Sequence, residues 1–273
     1  MNIFYELLAG ILKISLGVLV LGSLLAYWYQ DKMIFYPQPV HPEIGKRFTT
    51  YKISVPSNSR TLAGWFVPSQ HSRELLVYYG GNAEDISYNL MELEELPDMN
   101  YLFVPYRGYG ENDGVPSEEG LYEDALNVLD AVLKEHQLSL QNTVVMGRSL
   151  GSGVATYVAS NRAVKAVVLV TPFDSLVNVA SHFYPVFPVG LILKHRFESD
   201  LRAPELRMPA LFILGGMDQT IPNPLSHRLA GLWAGRNETV VVEDAGHNDV
   251  SNFPTYWAAI RQFLAGLEPE KKP

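Results

Sequence analysis

"NTVVMGRSLGSGVATYVASN", residues 142–161, passes from a β-branched apolar run into small residues at helical spacing, and Gly147-Arg148-Ser149-Leu150-Gly151 at the join spells G-x-S-x-G. The three fixed letters decide little alone, since each is used at roughly 7% and would recur by chance in about one chain in ten of this length. Their setting decides more. Residues 143–146 predict a short strand and residues 152–161 a helix with small residues on one face. A serine on the sharp turn between them has its Oγ lifted above the sheet edge. Glycines are needed on either side, where a Cβ would clash with the neighbouring strand and helix. Ser149 is therefore a candidate nucleophile.

Outward from that turn the chain alternates. Residues 75–79, 101–104, 143–146, 166–170, 210–214 and 239–242 read as strands separated by segments of helical length. "SEEGLYEDALNVLDAVLKEH" reads as a helix capped by Ser117, with Leu121, Ala125, Val128, Leu129 and Val132 on its buried face. "YKISVPSNSRTLAGWFVPS" reads as two strands around a Ser/Asn turn, and "FPTYWAAIRQFLAGL" as the last helix. Strands and helices in this alternation predict an α/β fold, a mostly parallel sheet covered on both faces, with ligands gathering at the strands' C-terminal ends.

A serine hydroxyl needs a base to take its proton and a carboxylate to orient that base. On such a sheet the expected order is serine, acid, histidine. His247 in "VVVEDAGHND" lies just past the last strand, whereas His227 lies in a helical stretch and reads as a surface residue. Asp218 in "ALFILGGMDQTIP" directly follows the preceding strand and is the first candidate acid. Asp174, one strand earlier, is its rival. The oxyanion of an acyl-transfer intermediate also needs donors. The backbone N–H of Leu150 is one, and Asn82 in "GGNAED", after the strand 75–79, offers a second.

The chain has 273 residues, 47% hydrophobic and 18% charged, enough for one sizeable core. A net charge of −8 with no basic cluster argues against a nucleic-acid partner, and zero cysteines exclude disulfides and thiolate sites. No His or acidic cluster has metal-ligand spacing, so neither metal nor cofactor is expected. Gly108, Gly110 and Gly114 follow a strand without dinucleotide-site spacing and read as a loop over the sheet edge. Arg107 and Arg148 suit either an acidic substrate group or a structural carboxylate partner.

The composition is unusual at the start, where residues 4–28 are apolar apart from Glu6, Lys13, Tyr5, Tyr27 and two serines. A helix of that length reaches about 37 Å, enough to cross a ~30 Å hydrocarbon core. Glu6 and the lack of a small-x-small site before Tyr27 argue against a cleaved signal, and Tyr27, Trp28 and Tyr29 suit an interface. The expectation is a single-pass N-terminal anchor over 1–30, with a helix packed on the domain as the alternative. A hydrolytic domain over 31–268 and a short tail over 269–273 would follow. Within it, residues 171–205 contain the aromatic, Pro-broken "SHFYPVFPVGLILKHRFES", read either as a lid or acyl pocket or as a short helix pair packed on the core.

These stretches taken together resemble the α/β-hydrolases, and in particular the membrane-anchored bud-emergence type of α/β-hydrolase-domain protein. The likeness rests on "GGNAED", "YRGYGENDGVPSEEGLYEDA", "GRSLGSGVA", "TPFDSL", "GGMDQTIP" and "DAGHND", in order over about residues 35–265. It implies a triad of Ser149, Asp218 and His247, with Asn82 and Leu150 supplying oxyanion N–H groups. Gly80 stands where the family usually has histidine, Pro105 where aspartate is frequent and Asn112 where serine is usual. The expected function is membrane-anchored ester or thioester hydrolysis on a small-molecule or lipidated acyl substrate. An amidase or aminopeptidase, and a non-catalytic interaction protein of the same fold, are the alternatives.

Overall fold

Short apolar runs bounded by Gly, Pro and polar turns become the centre of one eight-stranded sheet in the computed structural model, which describes residues 2–267. In chain order the helix α1 (Asn2–Ile34) is followed by the short α2 (Pro42–Arg47). The strands β1 (Lys52–Ser57), β2 (Arg60–Val67), β3 (Leu75–Tyr79) and β4 (Asn100–Phe103) come next. Then come α3 (Glu118–Glu135), β5 (Thr143–Arg148), α4 (Leu150–Asn161), β6 (Ala166–Val170), α5 (Leu176–Phe183), α6 (Val189–Ile192) and α7 (Ser199–Arg202). The chain continues with β7 (Ala210–Gly215), α8 (Asn223–Leu232), β8 (Asn237–Val242) and α9 (Pro254–Ala265).

The spatial order is β1-β2-β4-β3-β5-β6-β7-β8. The first two strands are antiparallel to their neighbours and β3 to β8 run parallel. Parallel strands covered on both faces cannot alternate apolar with polar residues, and β3, β6 and β7 are buried at every position. Val145 of β5 points into the core under α3, α4 and α8, while its neighbours Val144 and Met146 point into the core under α9. Each such side chain withdrawn from water contributes about 1.5–3 kcal/mol.

The helix α3 starts where Ser117 accepts a hydrogen bond from the Gly120 N–H, and its five expected core positions are all buried. From β3 the chain crosses outward to β4 and then returns to the other side of β3 to form β5. That reversal opens a crevice at the C-terminal ends of β3 and β5. The loop after β3 and the turn after β5 both lie on it.

The helix α1 runs four residues beyond the expected end of the anchor. Nothing between Trp28 and Pro37 breaks a helix, and its last turn is tied to the rest of the chain: Gln30 is buried and donates to the Ile192 carbonyl, and the Ile34 carbonyl accepts from the Asn82 amide. Toward its N-terminus the helix presents large apolar side chains to its surroundings, with Leu12, Leu16 and Leu21 each about 60% exposed. Of the expected tail, residues 269–273 lie outside the described residues.

Candidate active site

Ser149 occupies the turn between β5 and α4 at φ 49° and ψ −117°, a backbone conformation that side chains rarely adopt. The strain is imposed from both sides. The Ser149 N–H donates to the Val170 carbonyl of β6 at 2.9 Å, and its carbonyl accepts from the N–H and hydroxyl of Ser152. A Cβ on Gly147 would sit 2.2 Å from the Gly151 carbonyl oxygen, and one on Gly151 would sit 2.0 Å from that of Tyr79. Both positions therefore require glycine, for the reason the sequence suggests.

The strand-end loops of β7 and β8 bring the two partners. His247 lies with Nε2 2.8 Å from the Ser149 Oγ and Nδ1 2.7 Å from the Asp218 Oδ2. Both side chains are nearly withdrawn from solvent. The second carboxylate oxygen of Asp218 accepts the backbone N–H groups of Thr220 and Ile221, each at 2.8 Å. A carboxylate can only accept, so the imidazole carries its proton on Nδ1 and turns the lone pair of Nε2 to the serine hydroxyl. The arrangement can pass a proton from Ser149 to His247 and hold the resulting cation.

Asp174, the rival acid, is fully buried elsewhere. It accepts from the Ser175 N–H, the Asn178 amide and the Arg228 guanidinium, the last at 2.7 Å. His227 is exposed on α8.

The Leu150 N–H opens α4, so it has no carbonyl one turn behind it to bond. The loop carrying Asn82 approaches from β3, close enough that a Cβ on Gly81 would touch the Ser149 Cβ at 3.6 Å. Among the described residues the Asn82 N–H makes no hydrogen bond within the chain. Its side chain does something the sequence did not reveal. Oδ1 accepts from the Tyr36 N–H at 2.9 Å and the Tyr109 hydroxyl at 2.8 Å, and Nδ2 donates to the carbonyl of Ile34, the last residue of α1. Burial pushes the Tyr109 phenol up to about 12, so it remains a donor.

Glu84 supports the same loop. It accepts from the Gly81 N–H at 2.6 Å, the Tyr78 hydroxyl at 2.9 Å and the Asn89 amide at 2.7 Å. Arg148 lies 3.9 Å from Glu84 and donates to the carbonyl of Asn248, next to His247, at 3.0 Å. Burial opposes its charge, but Tyr78 and Glu84 outweigh that and raise its pKa. Arg148 thus joins the loops after β3 and β8. Arg107 is likewise structural, held by Asp124 at 2.6 Å and Glu123 at 2.9 Å. The two arginines are engaged by carboxylates of the chain itself. Tertiary packing alone brings these partners together, although Glu84 stands only two residues after Asn82.

Of the three positions at which the sequence departs from the family it resembles, Asn112 acts through its side chain, while Gly80 and Pro105 accept hydrogen bonds through their carbonyls. Asn112 bonds the N–H and carbonyl of Ala63 and the Pro105 carbonyl, fastening the glycine loop to β2. Gly108, Gly110 and Gly114 all have φ between 60° and 122°, as a loop and not a helix start requires. The Gly80 carbonyl accepts the Tyr106 hydroxyl at 2.8 Å.

Ser149 and His247 open on a cavity of about 680 Å³. Its lining includes the polar Glu84, Asp85, Asn89 and Glu92 and the apolar Phe173, Leu176, Val179 and Ile221. Burial and neighbouring Glu84 hold the Glu92 carboxyl above its ordinary range.

Residues 85–248 match the profile of a family described as Serine hydrolase (FSH1). The chain is 32% identical to the uncharacterized protein Rv2307c of Mycobacterium tuberculosis over 89% of its own length and 90% of the relative's. To the protein bem46 of Schizosaccharomyces pombe it is 26% identical, covering 94% and 92% of the two chains. The esterase Pf2001 of Pyrococcus furiosus superposes with a TM-score of 0.65 at 18% identity, over 85% of this chain and 97% of that one. The architecture is thus the α/β-hydrolase fold.

Proposed function

We propose that this chain, which belongs to the FSH1 serine hydrolase family, cleaves carboxylic ester or thioester bonds through an acyl-enzyme on Ser149. The observation that carries the reading is the relay from Asp218 through His247 to Ser149, at 2.7 and 2.8 Å, on a cavity also lined by Phe173, Leu176, Val179 and Ile221.

His247 takes the Ser149 proton as Oγ attacks the acyl carbonyl, and Asp218 holds the imidazole while it is charged. The tetrahedral oxyanion is met by the N–H groups of Leu150 and Asn82, each worth on the order of 10² to 10³ in rate. Collapse expels the alcohol or thiol, which takes its proton from His247. Water, deprotonated by His247, then attacks the acyl-enzyme, releases the acid and restores the serine. No step calls for a metal or redox partner.

The same proposal places α1 in a bilayer as a single-pass anchor. Its support is a helical stretch from Phe4 to Ile34, 31 residues long, whose most apolar 18-residue window has a mean hydropathy of 2.2 and is left wholly uncovered by the domain. Held there, the domain works on acyl substrates at the membrane surface.

The test is fluorophosphonate labelling of the membrane fraction, with Ser149→Ala and His247→Ala beside the wild type, followed by turnover of matched short esters, thioesters and amides. Labelling of the wild type alone, with esters or thioesters cleaved at least tenfold faster than the amide, is the expected result. A folded wild type that fails to label overturns the reading, and preferential amide turnover moves it to an amidase. Release of the chain into the soluble fraction by alkaline carbonate would refute the anchor.

A further inference from the structure

A second cavity, of about 710 Å³, lies between the last three turns of α1 and the α5–α6 segment. Leu25, Ala26 and Tyr29 form one wall, and Ala180, Phe183 and Phe187 the other. Among the described residues no charged side chain lines it, so a ligand bearing an ammonium or carboxylate inside it would be unpaired.

This cavity adjoins the one that holds Ser149. Met33, Ile34, Leu176 and Val179 line both. From the serine outward, therefore, the lining changes from polar to apolar in the direction of α1, across a threshold of four apolar side chains. Met33 is unbranched and about half exposed, the kind of side chain that yields to a ligand.

The two walls are held at a fixed separation by polar bonds at one end. Gln30 donates from Nε2 to the Ile192 carbonyl at 2.9 Å and accepts the Lys194 N–H on Oε1 at 2.6 Å. Next to it His195 Nε2 lies 2.9 Å from the Asp31 carboxylate. Facing apolar walls gain contacts when they close on each other, and this clamp opposes that closure.

The outer lip is apolar as well. On the α5–α6 segment Phe183, Tyr184, Val186 and Leu191 are 48%, 55%, 75% and 87% exposed, beside a helix long enough to span a bilayer. The Lys194 ammonium sits 4.4 Å over the ring of Tyr27, a pairing suited to the interface level.

From these observations we infer that the second cavity holds the acyl chain of the substrate whose carbonyl reaches Ser149. The substrates are then long-chain acyl esters or thioesters entering from the bilayer, and the anchor helix itself forms one wall of the acyl site. This rests on the serine hydrolase reading above. A soluble short-chain ester would leave the channel empty, and a peptide would bring polar backbone into a site without partners for it.

The experiment uses the full chain in phosphatidylcholine vesicles, with p-nitrophenyl esters or acyl thioesters from four to sixteen carbons. In the wild type kcat/KM rises with chain length, by up to about fourfold for each methylene that enters the channel. Ala26→Trp and Ala180→Trp fill the channel from opposite walls, and each lowers the ratio of sixteen-carbon to four-carbon kcat/KM at least tenfold. Leu16→Trp, on the exposed part of α1, keeps the wild-type ratio. An unchanged ratio in both channel variants, with fluorophosphonate labelling intact, overturns the proposal.

Lost labelling in a variant reports a damaged site, and the wild type then decides by a second route. A fluorophosphonate carrying a long alkyl chain with a terminal diazirine should crosslink to residues 22–33 or 176–193. Crosslinks to neither range overturn the channel. Failure of the wild type to label at all refutes the serine hydrolase reading instead, so the two failures are distinguishable.

Discussion

Ser149 is held in a backbone conformation that costs about 1–3 kcal/mol, and the cost is met by what surrounds it. Its N–H is committed to β6, its carbonyl to Ser152, and flanking glycines admit the strand and helix at contact distance. Glycine adopts φ 49° with less strain, so Ser149→Gly is expected to raise stability by about 1 kcal/mol, near 2 °C in Tm, while removing fluorophosphonate labelling. Thermal unfolding followed by circular dichroism measures this. A lower Tm would mean that Ser149 is not strained.

Among the elements, the loop after β3 is fixed by side chains and not by strand pairing. Asn82 ties it to the end of α1 and to Tyr109, and Glu84 fastens Gly81. Asn82→Ala keeps the backbone N–H proposed for the oxyanion but frees the loop. The expected outcome is a 10- to 100-fold lower kcat with Ser149 still labelled by fluorophosphonate, read by steady-state kinetics. An unchanged kcat would show that the loop is rigid without the side chain.

On the same sheet edge, Arg107 is shared by Asp124 and Glu123. Arg107→Met leaves Asp124 buried and without its cation, and should cost about 3–5 kcal/mol in urea unfolding. If substrate binding were its task, KM would rise and stability would stay the same.

Over the whole molecule, α1 joins the domain through a small set of polar bonds around Gln30, Asp31 and Asn82. The orientation of the proposed anchor is thereby set relative to the cavity on which Ser149 opens. Gln30→Ala leaves the Ile192 carbonyl and the Lys194 N–H without their partner and should cost about 1–3 kcal/mol locally. Hydrogen exchange of residues 189–195 is the measurement, and faster exchange there with an unchanged sheet is the expected pattern. Unchanged exchange would mean that the clamp carries no local stability.

The sequence by itself determined the alternation of strand and helix, the turn that carries Ser149 and the order of its two candidate partners. These are local features: residues 75–79 and 166–170 are apolar throughout because both faces of a parallel strand are covered, and Gly147 and Gly151 answer clashes within a few residues of the serine. Only the tertiary structure decided what Arg107, Arg148 and Glu84 do, because their partners lie on other loops and no spacing encodes them. It also decided that α1 continues to Ile34 and that its final turns face α5 and α6 across an apolar cavity. Residues 22–34 and 176–193 are about 150 positions apart, and periodicity marks each as apolar without saying that they meet.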